Sequence, residues 1–254
     1  MAIHLIAEIG VNWTSLPQAL DMIREAKKSG CSYVKFQLFN EETIADSPLK
    51  ESLKPLILGE TSINLLKEQA VMQKIGFILT PMYLDAVDLA ARYADMIKIR
   101  FKDRENQPLL DKAYATGKTL LISVPNRPVN LNQMYNPRIR YFYCVPRYPP
   151  DIEDFNIEVA STCEGVSSHF PHTICDLTYA ISRFYEESYI EKHVMFETTS
   201  IGIQATYADA SKEKVGSVEI LNHPIDEAVS VTFEKVSDLT KELRLIEKMK
   251  RIRL

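Results

Sequence analysis

Glycine is scarce in this chain, with 8 residues in 254. None of them builds a G-x-G-x-x-G turn after the first apolar run, so the phosphate cradle of a dinucleotide-binding sheet is missing. Cysteine is sparse as well. Cys31, Cys144, Cys163 and Cys175 are scattered with no C-x-x-C pair, which offers no disulfide framework and fits the reduced, core-filling thiols of a cytoplasmic protein. Neither sign of charge dominates: 30 basic and 34 acidic residues are mixed along the whole length, for a net charge of −4. With no basic stripe and no acidic tail, nucleic acid is excluded as an expected partner. Long hydrophobic runs are absent too, none approaching the roughly 18–20 residues that span a bilayer. The opening "MAIHLIAEIGVNW" has no basic leader, and Glu8 interrupts its apolar stretch. It reads as a first strand, not as a signal peptide, and no membrane partner is expected.

What is present is a rhythm. Short runs rich in β-branched and aromatic residues recur eight times: "IHLIAEIGV", "SYVKFQLF", "GFILTPM", "MIKIRF", "TLLISVP", "RYFYCVP", "EGVSSHF" and "YIEKHVMF". Amphipathic stretches separate most of them. In "LPQALDMIREAKKSG", Leu16, Ala19, Leu20, Ile23 and Ala26 share one helical face and Gly30 closes it. Eight strands alternating with helices predict an α/β fold, a (β/α)8 TIM barrel, whose usual length is about 250 residues. A doubly wound open sheet is the alternative. The chain reads as a single domain over residues 1–254, without repeat or linker. Two units depart from the ideal. "NRPVNLNQMYNPRI" after the fifth strand is too rich in Pro and Asn for a full helix, so a reduced fifth helix is expected. Residues 197–231 form a long loop or lid before a last helix that starts near Thr232. Within it, Tyr207, Asp209, His223 and Asp226 are polar candidates, and "SVEILN" has the composition of a short strand.

In such a barrel the active site lies at the C-terminal ends of the strands. Polar residues there are Glu8 and Asn12 on the first strand, Lys35 and Gln37 on the second, Thr80 on the third and Lys98 on the fourth. Ser123 follows on the fifth, Tyr148 beyond the sixth, Ser167 and His169 on the seventh, and Glu191 and His193 on the eighth. One serine in a strand is ordinary, and one histidine is more often a satisfied core residue than a ligand. Nearly every strand carries such a residue, and chance explains the set poorly. His169 and His193, on adjacent strands, would together hold a divalent metal. Lys35 and Lys98, unpaired in an apolar setting, would give an anionic substrate two charge partners. Along the eighth strand, alternation sends Glu191 and His193 inward and Lys192 outward, leaving Glu191 to orient a ligand or to pair with a lysine of a neighbouring strand.

In their order and spacing, "IAEIGVN", "VKFQ", "GFILTP", "IKI", "CVPRYP", "SSH" and "EKH" resemble the sialic acid synthase (N-acetylneuraminate synthase-like) family across the whole barrel. The resemblance implies a transferase of sugar biosynthesis. It would condense phosphoenolpyruvate with an aldose or an N-acetylated aminosugar, giving a sialic-acid-like 2-keto acid and phosphate. It implies His169 and His193 as ligands of manganese or another divalent ion acting as Lewis acid on the sugar aldehyde. Lys35, Thr80, Lys98, Ser123 and Ser167 match positions that bind phosphoenolpyruvate, and Glu8 matches the carboxylate near the reacting centre. Gln37 and Tyr148 match sugar contacts, and Asp226 in "PIDEAVSV" is the candidate for the family's sugar-binding aspartate.

The sequence departs from the family pattern in several places. Trp13 stands for a histidine, Phe101 for a small or hydroxyl residue, Pro146 for an asparagine and Ser168 for an aspartate. The resemblance covers the barrel alone, without the antifreeze-like C-terminal domain that in the family reaches across a dimer. A homodimer is one assembly it allows. Two other readings stay open: a catalytically altered sugar-binding or accessory barrel, and another lyase or aldolase on the same scaffold.

Overall fold

The computed structural model describes residues 2–128, 136–197 and 224–249. Its strands are β1 (Ile3–Gly10), β2 (Tyr33–Leu38), β3 (Gly76–Pro81), β4 (Met96–Ile99), β5 (Thr119–Val124), β6 (Ile139–Tyr143), β7 (Gly165–Ser168) and β8 (Ser188–Met195). Each pairs in parallel with the next, and β1 pairs with β8 from Ile3↔Ser188 to Glu8↔His193. That pairing closes the expected eight-stranded barrel. A short ninth strand, β9 (Ser230–Thr232), extends the sheet alongside the end of β8, with His193 opposite Ser230.

Among the described residues the helices are α1 (Leu16–Lys28), α2 (Lys50–Leu53), α3 (Glu60–Gln73), α4 (Leu84–Tyr93), α5 (Gln107–Ala115), α6 (Ile157–Ser161), α7 (Ile174–Ser182) and α8 (Phe233–Met249). The first shows how sequence sets the ends. Ser15 caps it by accepting from the Gln18 amide, Pro17 sits in its first turn, and Lys27 and Lys28 stand at the negative end of its dipole. Its buried face is Ala19, Met22, Ile23 and Ala26. Residues 125–128 and 136–138 form no helix, while 129–135 of the expected reduced unit lie outside the described residues. So do 198–223 of the expected loop, with Tyr207, Asp209, His223 and "SVEILN".

Two apolar regions form, as strand alternation requires. Outward residues such as Val34, Phe36, Leu79 and Ile97 pack under the helices. Inward residues Ile6, Ile78, Met96, Leu121, Phe142 and Tyr189, with Tyr33, plug the lower barrel. Gly165 makes room for this plug, because a Cβ there would lie 2.7 Å from ring carbons of Phe142, itself fully buried. Gly165→Ala is therefore expected to destabilise the fold by about 1–3 kcal/mol. Urea denaturation checks this, and an unchanged midpoint would show that the plug yields.

Candidate active site

Alternation along β8 separates three consecutive ionisable residues, all buried. Glu191 and His193 meet inward partners, whereas Lys192 reaches Asp176 on α7 outside the barrel, as the strand period dictates.

Above the apolar plug lies a layer of charge. The Glu191 carboxylate accepts hydrogen bonds from Lys98 Nζ at 2.8 and 3.0 Å and from Ser167 Oγ at 2.6 Å. It also lies 3.5 Å from Lys35 Nζ. Lys35 is 3.1 Å from Glu8 Oε2 and donates to Thr80 Oγ1 at 3.4 Å. Gln37 Nε2 donates to the other Glu8 oxygen at 2.7 Å. Gly10 is needed for this arrangement. It interrupts the β1–β2 register with φ +50°, and a Cβ on it would lie 2.9 Å from Glu8 Oε1 and 3.0 Å from Gln37 Nε2.

Two carboxylates and two ammoniums thus face one another, and their charges cancel. The expectation that Lys35 and Lys98 stand unpaired is corrected: Glu8 and Glu191 already hold them, because an isolated ammonium at this depth is strongly disfavoured. The sharing is unequal. Burial works against the Lys35 ammonium, yet Glu191 and Glu8 outweigh it and raise its proton affinity. Lys98 has a single carboxylate partner, so burial prevails, Lys35 adds repulsion, and its proton affinity falls. Glu191 lies against both cations; burial opposes its ionisation, but the lysines win and hold it well below the usual carboxylate range.

A cavity of about 580 Å³ opens over this layer at the C-terminal ends of the strands. Every site residue implied by the resemblance lines it except Thr80, which accepts from Lys35 Nζ; Asn12, just past the end of the first strand, does not line it either. Across from the lysines, His169 and His193 face each other with ring centroids 5.2 Å apart. Burial and the neighbouring His193 lower the His169 pKa to about 3, so its ring is neutral. His193 Nδ1 is buried without a hydrogen bond, 3.4 Å from Asp226 Oδ2. A neutral imidazole beside a second ring with an orphaned nitrogen fits a divalent cation. Among the described residues no group of three or more His, Cys, Asp or Glu is arranged to hold one, so two protein donors would leave the other positions to water and substrate.

Asp226 is fixed from three sides. Tyr148 donates to its Oδ1 at 2.7 Å, its amide donates to Asn12 Oδ1 at 2.9 Å, and its carbonyl accepts from Ser230 Oγ at 2.6 Å. Burial opposes its charge, but His193 and the Tyr148 hydroxyl hold its pKa below the usual value. Asn12 and Ser230 hydrogen-bond each other at 2.8 Å, a latch between β1 and β9 that the sequence reading left without a role. Also unforeseen is the apolar wall of Phe39, Ile44, Leu49 and Leu53, carried by the stretch around four-residue α2, too short to show a period. Of the departures from the family pattern, Phe101 and Pro146 line the cavity. Trp13 does not; it is buried and donates to Gly10 O at 3.0 Å. Arg104 stacks over the Phe101 ring at 4.1 Å.

The model for the NeuB family matches residues 22–214. An uncharacterized protein of Methanocaldococcus jannaschii is 27% identical over 261 residues, covering 96% of this chain and 71% of its own. The N-acetylneuraminate-9-phosphate synthase of Mus musculus is 27% identical over 193 residues, covering 66% of this chain; the match spans about half of the mouse protein, 53%. Among solved structures, the N-acetylneuraminic acid synthetase of Leptospira borgpetersenii, crystallised with citrate, superposes with a TM-score of 0.78 at 24% identity. That superposition covers 98% of this chain and 85% of the other, and it shows the shared barrel.

Proposed function

Because the chain belongs to the NeuB family, we propose that it condenses phosphoenolpyruvate with an aldose or N-acetylated aminosugar, releasing phosphate and a sialic-acid-like 2-keto acid. The observation that carries this reading is the buried Glu8–Lys35–Glu191–Lys98 layer beneath the facing His169 and His193, all lining one cavity. In the reaction, C3 of phosphoenolpyruvate bonds to the aldehyde carbon, water adds at C2, and phosphate leaves C2 as the carbonyl forms.

Lys35, Lys98, Ser123 and Ser167 bind the three-carbon acid. Its anionic groups compete with Glu8 and Glu191 for the two ammoniums. Lys98, with its lowered proton affinity, is the group best suited to pass a proton to the departing phosphate. Glu8, whose buried Oε2 has Lys35 Nζ as its ion-pair partner at 3.1 Å, holds the attacking water and takes its proton. Asp226, Tyr148 and Gln37 orient the acceptor sugar. Manganese or a similar ion on His169 and His193 would supply Lewis acidity at the acceptor aldehyde.

A second reading, a sugar-binding barrel with altered catalysis, is favoured by Phe101 and Pro146 in the cavity wall. One assay separates the two: phosphate release from phosphoenolpyruvate with manganese and a panel of aldoses and N-acetylhexosamines. Sugar-dependent release is expected. Sugar binding by calorimetry with no release from any acceptor would establish the second reading instead.

A further inference from the structure

Lys192 takes no part in the cavity, yet it is fully buried. Its ammonium has three N–H bonds, and all three are engaged. It donates to Ser168 Oγ at 3.0 Å, to the carbonyl of Phe170 at 2.6 Å and to that of His172 at 2.6 Å. Asp176, also fully buried, supplies the countercharge at 2.8 Å. Asp176 Oδ2 faces the ammonium without the alignment of a hydrogen bond, so its tie to Lys192 is that of an ion pair. Asp176 lies in the first turn of α7, where a carboxylate is favoured by the helix dipole. One side chain of β8 thereby gathers the end of β7, the backbone after it and the start of α7.

His169 is part of that backbone. Among the described residues its ring has no strong hydrogen bond to orient it; the polar contact it makes there is with Cys144 Sγ, 3.8 Å from Nδ1. Burial pushes the Cys144 thiol up to about 12, so the contact carries no thiolate charge. The Tyr148 ring packs edge-on against that of His169 with centroids 4.9 Å apart. Beyond that contact the His169 ring is carried by the main chain of residues 168–172, which Lys192 holds through Phe170 and His172. The next residue along β8 is His193, facing the opposite way. We propose that Lys192 is a positioning residue: by clamping the segment after β7 onto the outer face of β8, it sets the 5.2 Å separation of the His169 and His193 rings. This rests on the reading that the two imidazoles act as a pair.

The test uses the full chain with Lys192→Met and Asp176→Leu combined, so that neither charge is left buried alone, a replacement that folded proteins commonly tolerate. Two readouts are taken on the folded protein. In the metal-free state, the imidazole NMR signals of His169 and His193 are expected to shift while those of His4, on the far end of β1, stay in place. Manganese affinity by calorimetry is expected to fall roughly 10–100-fold, the usual effect of removing an outer support of a ligand. A purely structural role would lower the melting temperature and move neither readout. If the double variant does not fold, Ser168→Ala, which removes one of the three hydrogen bonds and keeps the ion pair, carries the test with a severalfold loss. Unshifted imidazole signals in the folded variant overturn the inference. Should the unaltered protein bind no manganese, the metal reading falls, and the imidazole signals still decide the positioning role.

Discussion

Glu191→Gln is expected to lower stability at pH 7 by about 3–5 kcal/mol, the usual effect of removing one partner from a buried ion pair. The carboxylate accepts from Lys98 and Ser167 and stands beside Lys35. Without it, Glu8 alone faces two buried ammoniums. Lys98, whose proton affinity is already lowered, would release its proton first. The pocket proposed for phosphoenolpyruvate then loses a fixed cation, and turnover should fall with the stability. The pH dependence has a definite sign. The lysines hold Glu191 below its ordinary value of 4.5, so the unfolded chain binds more protons and folding is favoured as pH rises. The stabilisation from Glu191 is complete above about pH 4.5 and is lost as pH falls toward the lower folded value. Denaturant unfolding at pH 7 and pH 3 should show a large gap between the two proteins that narrows in acid. Equal stabilities at pH 7 would mean that the lysines are solvated or neutral.

Much of this site was legible because a strand has a period of two. "YIEKHVMF" alone sorts Glu191 and His193 from Lys192, and the contacts of Lys192 with Asp176 follow that sorting. Eight runs of strand composition sufficed for the barrel, since parallel strands buried on both faces read as apolar stretches. Pairing between distant strands was not legible. Lys98 and Glu191 are far apart in sequence; alternation offered Glu191 a lysine as one of two roles, but nothing local marked Lys98 as the partner. Thr80 was placed on the right strand, but its depth relative to Lys35 depends on barrel stagger, which no single strand encodes. β9 is three residues long and α2 four, below the length at which either period can be recognised. Asp226 was one of several polar candidates in its segment, and only the resemblance singled it out. The Tyr148, Asn12 and Ser230 contacts that hold it come from three separate parts of the chain.

His193→Ala is expected to have the largest effect on activity. Removing one of two imidazoles leaves His169 as the lone nitrogen donor at this end of the cavity, and a single neutral imidazole holds a divalent ion weakly. Manganese affinity should drop by more than about 100-fold, beyond the range seen for losses in a ligand's outer support, and turnover should become undetectable. Neither lysine forms an ion pair or hydrogen bond with His193 among the described residues, and both keep their carboxylate partners, so phosphoenolpyruvate binding in the absence of metal should survive. Asp226 would respond as well. His193 contributes to holding its pKa down, and without the ring Tyr148 is the one side chain among the described residues that still hydrogen-bonds the carboxylate, so acceptor binding should weaken. His169→Ala should cause the same metal loss with less effect on the acceptor, because Asp226 retains His193. Metal analysis after dialysis, with calorimetry for each substrate, separates these outcomes. Stoichiometric manganese in both single variants would place the metal elsewhere and leave the two imidazoles as contacts of the sugar.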